Sequence, residues 1–225
     1  MRSINHAHRA AAVLAVVVAL SAGVAGTAQA AKGGKGGKPG SGSTTTTTTT
    51  TTASGIKSIH DTTCDAVSEY VPCTGLSVTV SNFGATGWTA SSGPANGTVS
   101  YNSYYSLSSA SWAQTVSHEV GGHHDAWREI VAKVGSSQAW TDYYDLDYFG
   151  ELWAEARYKA VKGTARDFTR NEGKELYLDC VGPVAHGYPG NYLTNRGISS
   201  GDPQRTFCSG ADTVMNDALT KVRPN

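Results

Sequence analysis

From Leu76 to Gly84 the chain reads LSVTVSNFG, β-branched residues alternating with polar ones. A period of two turns one face of a strand to a core and the other to water. A second strand, rich in aromatics, is predicted over Gly97–Tyr105 (GTVSYNSYY), and the intervening GWTASSGPANG reads as a turn-rich loop. The period then changes. SSASWAQTVSHEVGGHHDAWREIVAKVG predicts one long helix, N-capped by Ser108 or Ser109 and closed by Gly135. A second helix is predicted over DLDYFGELWAEARYKAVKG, capped by Asp145 or Asp147 and stopping near Gly163. A shorter third covers EGKELYLDCVG, and a fourth covers SGADTVMNDALTKV, with Ser209 or Asp212 near its start. Strands first and helices afterwards predict an α+β fold.

The N-terminus places this domain in a cell. Arg2 and Arg9 precede an apolar run from Ala10 to about Ala25, and Ala28 and Ala30 occupy the small positions of a cleavage site. That order predicts a secretory signal peptide over residues 1–30, the alternative being an uncleaved membrane anchor. Residues 31–55, rich in Gly, Lys and Thr, are expected to be a disordered linker. A secreted protein, tethered to a cell wall in one reading, is expected, with no membrane span after cleavage.

The remaining 56–225 suffices for one domain with its own core. It carries 13 basic and 18 acidic residues, a net charge of −5, so it has no electrostatic reason to bind nucleic acid. All four cysteines fall there. In an oxidising compartment they predict two disulfides, with the local pairings Cys64–Cys73 and Cys180–Cys208 preferred. A monomer is expected.

The candidate chemistry lies in SHEVGGHHDAW, Ser117–Trp127. It nearly spells His-Glu-x-x-His, the helical zinc motif in which both histidines share a face and the glutamate is a general base. Here the residue four after His118 is Gly122, and histidines follow at His123 and His124. In an unbroken helix, at about 100° per residue, His118 lies roughly 140° from His123. His123 then joins the apolar stripe of Val116, Val120, Trp127, Val131 and Val134, and His118 sits on the surface. A π-bulge at Gly121–Gly122 turns both imidazoles the same way, because one i→i+5 turn advances five residues by about one rotation. A break at the glycine pair, with His123 or His124 completing the site, is the third possibility.

Two histidines need a third protein ligand. Glu151 and Glu155 lie at i, i+4 on one helical face in ELWAEA. A His-Glu helix followed by a helix bearing ELWAEA resembles the gluzincin metallopeptidases, in particular the catalytic domains related to anthrax lethal factor. The resemblance spans about Gln114 to Val161. It implies a zincin-like fold: a small twisted sheet, then a zinc-site helix, then a glutamate-bearing helix. It also implies Zn2+ held by His118, His123 and Glu151, with Glu119 as base. Tyr144, seven residues before Glu151, would stabilise the transition state, and Asp125 and Glu155 would support the ligands. A competing likeness exists. KELYLDCVG is similar to the Glu-Leu-x-Ala-Asp-Cys segment of a family of neutral zinc metallopeptidases, which would make Glu175 the ligand. Glu151 is preferred because its helix follows the histidine helix after a short connection, and Asp179–Cys180 then reads as disulfide scaffolding.

The expected activity is that of a secreted zinc endopeptidase acting on protein or peptide, with the strand TVSYNSYY offering an edge for the substrate. Two rivals are a catalytically dead zincin-like binding or cell-surface module, and a carbohydrate hydrolase using Glu151 and Glu155.

Overall fold

The computed structural model describes residues 51–221. The expected signal peptide and most of the expected linker lie outside the described residues. In chain order the elements are α1 (Ala53–Val67), β1 (Ser77–Ser81), β2 (Ala90–Gly93), β3 (Thr98–Asn102) and α2 (Ser109–Ser117). A π-helical segment, His118–His124, joins α2 to α3 (Asp125–Val134). Then come α4 (Ser136–Lys162), α5 (Arg170–Val181), α6 (Asn191–Asn195), α7 (Asp202–Phe207) and α8 (Asp212–Thr220). The class is α+β, mostly helical, with a small three-stranded mixed sheet.

α1 starts inside the stretch expected to be linker. Thr52 caps it by accepting from the Gly55 N–H, and Thr51 donates to the Leu107 carbonyl at 3.1 Å. Ile56, His60, Thr63, Cys64 and Val67 form its buried stripe. That stripe mixes a histidine and a threonine with the apolar residues, which hides its helical period in the sequence.

The sheet has the order β1-β3-β2. β1 runs parallel to β3, and β2 pairs antiparallel to β3 from Ala90↔Tyr101 to Gly93↔Thr98. The aromatic strand is therefore the centre of the sheet, and the edges belong to β1 and β2. β2 was invisible as a strand because its sequence, ASSG, has no β-branched or aromatic residue. Its pairing comes from its neighbour.

The histidine helix has the expected ends: the Ser108 side chain accepts from the Ser111 N–H, and Gly135 closes it at φ 79°. α4 begins earlier than expected, at Ser136, because Ala139, Asp142, Tyr143 and Leu146 continue its buried face by one and then two turns. Both disulfides are the local pairs, Cys64–Cys73 and Cys180–Cys208. Among the described residues no helix is long and apolar enough to cross a membrane.

Two apolar cores flank the π segment. Ile56, Val67, Val99, Tyr101, Trp112, Val116 and Val120 pack between α1, the sheet and α2. The larger core joins α3, α4 and α5 to the C-terminal helices through Trp127, Ile130, Leu146, Leu176, Leu178 and Phe207. α4 and α5 cross with backbones in contact: a Cβ on Gly173 would lie 2.2 Å from the Glu151 nitrogen, and one on Gly150 2.9 Å from the Gly173 carbonyl carbon. Both obstacles are backbone, which cannot step aside as a side chain can. Gly173→Ala is therefore expected to destabilise the protein by about 3 kcal/mol, the upper end for overpacking. Urea unfolding of the variant checks this, and an unchanged midpoint would show that the crossing has slack.

Candidate metal centre

The extra glycine is absorbed without breaking the helix. Ser117 and Asp125, on either side of the π segment, keep right-handed helical backbone angles, and the His118 and His123 rings come to 5.1 Å centroid to centroid. The glycines are needed for what they let in. A Cβ on Gly121 would stand 3.2 Å from the Val67 carbonyl of α1, and one on Gly122 3.1 Å from the Leu178 carbonyl of α5. Gly182, just past α5, answers them, since a Cβ there would meet the Ser117 carbonyl at 2.7 Å. α5 thus lies directly against the π segment, and it brings Glu175 with it.

Glu175 Oε2 sits 3.0 Å from His118 Nε2 and 3.4 Å from His123 Nε2. One ligand atom from each of the three residues lies within 4.8 Å of the others, and the group could hold a metal ion. The opposite ring nitrogens are anchored, His118 Nδ1 on Asp179 Oδ1 at 2.9 Å and His123 Nδ1 on the Tyr143 hydroxyl at 2.7 Å. An ionised carboxylate can only accept, so His118 Nδ1 carries a hydrogen and donates it. Such outer partners fix ring orientation and leave the Nε2 atoms converging on one point.

The electrostatics are those of a closed charge cluster. Burial opposes a charge on His118, but its bonds to Asp179 and Glu175 hold its pKa well above the usual histidine value. Burial would likewise raise the Glu175 pKa, yet the bonds from His118 and His123 hold it well below the usual carboxylate range. A protonated His118 lies between two carboxylates, where a bound cation would put its own charge instead.

Glu119 is buried beside His118, and its Oε2 accepts from Ser92 Oγ of β2 at 2.5 Å. The residues expected around a different glutamate are elsewhere. Glu151 is held at the α4–α5 crossing and turns its carboxylate to Arg170, 3.6 Å away; the structure does not bring it to the histidines. Tyr144 is 61% exposed and stacks on Trp140, whereas its neighbour Tyr143 turns inward to His123. Glu155 accepts from the Phe168 N–H at 3.1 Å and ties down the end of the α4–α5 connection. Asp125 accepts from Ser68 Oγ and from the Glu69 and Tyr70 N–H groups, so it closes the end of α1 instead of supporting a ligand. His124 Nε2 is 3.1 Å from the Thr98 carbonyl of β3, and burial lowers its pKa to about 4. It stays neutral and ties the helix to the sheet, away from the cluster.

Four residues of this neighbourhood were not read from the sequence in these roles: Asp179, Tyr143, Ser92 and Tyr192, whose ring stacks on His118 at 5.2 Å. Only Asp179 had a signal, since Glu175 and Asp179 stand at i, i+4 on α5. Comparisons with protein-family models, curated proteins and solved structures each find no match.

If Asp179 orients His118, Asp179→Asn should weaken metal binding about 10- to 100-fold. Competition with a chromophoric chelator reads this, with far-UV circular dichroism as a control on folding. Wild-type affinity in a folded variant would show that the carboxylate has no such role.

Proposed function

We propose that the chain is a secreted, zinc-dependent peptide hydrolase of zincin type. The observation that carries this reading is the convergence of His118 Nε2, His123 Nε2 and Glu175 with Glu119 next in sequence to the first ligand. Two imidazoles and one carboxylate are the three-ligand donor set of catalytic zinc sites, whereas structural sites have four protein ligands. The residues present fit the ion: with both Nδ1 atoms anchored, the two Nε2 atoms meet the Glu175 carboxylate, and a cation there would replace the proton that His118 Nε2 now shares with it. Two disulfides accord with an oxidising, extracellular setting.

Zinc held by His118, His123 and Glu175 supplies Lewis acidity, acidifying water and polarising a carbonyl oxygen. Glu119 takes a proton from the attacking water and returns it to the departing amine nitrogen. Ser92 holds one oxygen of that carboxylate and so fixes its direction. β2 is the outer strand next to Glu119, and an extended peptide added along it passes the base. The rival carbohydrate reading has little to stand on, because Glu151 and Glu155 are engaged with Arg170 and the Phe168 N–H.

The test is hydrolysis of casein and of quenched-fluorescence peptides by the protein in its exported form. A chelator should abolish turnover and Zn2+ restore it. Glu119→Gln should lower turnover about 100- to 10,000-fold while keeping the metal. Chelator-insensitive cleavage, or full activity in Glu119→Gln, would contradict the proposal. Metal binding without turnover on any substrate would favour the binding-module reading.

A further inference from the structure

A cavity of about 120 Å³ opens beside the π segment at Gly121, and none of the candidate metal ligands lines it. Glu69, from the bend after α1, forms one side, Asp125 and Glu129 of α3 another, and His186 a third. Three carboxylates and no lysine or arginine face the space.

Tyr177 lines the same cavity from α5, and only 2% of it is exposed. Its hydroxyl makes no hydrogen bond among the described residues. Yet it is not one of the side-chain atoms sealed from solvent without a partner, as His60 Nε2 and Trp153 Nε1 are. The hydroxyl therefore touches open space, and the space that Tyr177 lines is this cavity. A buried phenol without a protein partner has a lone pair to offer an entering donor.

The remaining groups differ in how far they are engaged. Asp125 accepts from Ser68 Oγ and from the Glu69 and Tyr70 N–H groups, and Glu129 pairs with Lys133 at 2.6 Å. The Glu69 carboxylate and the His186 ring have no hydrogen-bond or ion-pair partner among the described residues. Burial lowers the His186 pKa against the pull of Glu69, so the neutral ring also carries an acceptor nitrogen at neutral pH.

We infer that this cavity binds a primary alkylammonium group. Such a group has three donors, no acceptor and one positive charge, which complements the Tyr177 oxygen, the Glu69 carboxylate and the His186 nitrogen. A metal ion matches less well. Among the described residues, the group of histidines and acids close enough to share an ion is His118, His123 and Glu175. Size points the same way, since a cavity of about 150 Å³ takes a benzene molecule. An ammonium head with a few methylenes fits the smaller space, with Ala126 and Val181 as its apolar wall. Its source is either a small free amine or the lysine side chain of another protein. The inference does not depend on the hydrolase reading.

The test is an amide NMR titration of the isotope-labelled, exported protein with n-butylammonium, n-butanol and tetramethylammonium. Butylammonium should shift the signals of Glu69, Gly121, Tyr177 and Val181 saturably, with Kd on the order of 1 mM. Butanol lacks the charge and tetramethylammonium lacks the N–H donors, so neither should do so. Tyr177→Phe keeps the ring and should weaken butylammonium about 10-fold or more, with the unfolding temperature unchanged. Glu69→Gln, at an exposed position that leaves the core intact, should weaken it too. N-acetyl-lysine methylamide separates the sources: its binding assigns the cavity to a lysine side chain, and its exclusion where butylammonium binds assigns it to a small amine. Zinc-free protein should give the same results. Butanol binding as well as butylammonium, wild-type affinity in a folded Tyr177→Phe or in Glu69→Gln, or no saturable shift with any amine would overturn the inference.

Discussion

An α-helix turns residues five apart to different sides, and every feature of the candidate centre follows from how this chain avoids that. Between His118 and His123 the backbone widens to π geometry, which spends the extra residue and aligns the two imidazoles. A π turn alone is a weak element. Here it is held from outside, by the close seating of α5 on Gly122 and of the end of α1 on Gly121. Remove the glycines and those contacts have no room. Remove the contacts and nothing favours the wider turn over an ordinary helix.

The same seating sets the electrostatics. Pressed against the π segment, α5 presents Glu175 and Asp179 one turn apart, the first to both Nε2 atoms and the second to His118 Nδ1. Two buried carboxylates would be costly alone, and the histidines between them repay that cost. Asp179 also carries the load outward. Through Leu193 it fixes α6, and the adjoining Cys180 is bonded to Cys208 at the end of α7. Candidate ligand, orienting group and covalent tie are thus neighbours on one helix.

Much of the local structure was legible in the sequence. Ser108 and Gly135 bracket the histidine helix as capping chemistry predicts, and a π-bulge was among the ways of reconciling the histidine spacing. The acid that joins the histidines was legible only as one of two candidates, Glu175 beside the preferred Glu151, and the reason is geometric. Glu151–Glu155 and Glu175–Asp179 are both i, i+4 acidic pairs on helices, so spacing gives them equal standing. What separates them is the α4–α5 crossing at Gly150 and Gly173, a long-range contact that turns Glu151 to Arg170 and Glu175 to the histidines. Proximity in sequence to the histidine helix was a poor guide to proximity in space. β2 escaped notice because its strand character is imposed by β3, and Tyr192 because a five-residue helix offers no period to read.

The central claim is that α5, and not α4, completes a metal site built on the π segment. The most direct measurement is the zinc content of purified, reconstituted protein as wild type, Glu175→Ala and Glu151→Ala, with unfolding curves to confirm that each is folded. The account predicts near-stoichiometric zinc in the wild type and in Glu151→Ala, and loss of it in Glu175→Ala. Zinc retained without Glu175 but lost without Glu151, or no zinc in the wild type at all, would contradict it.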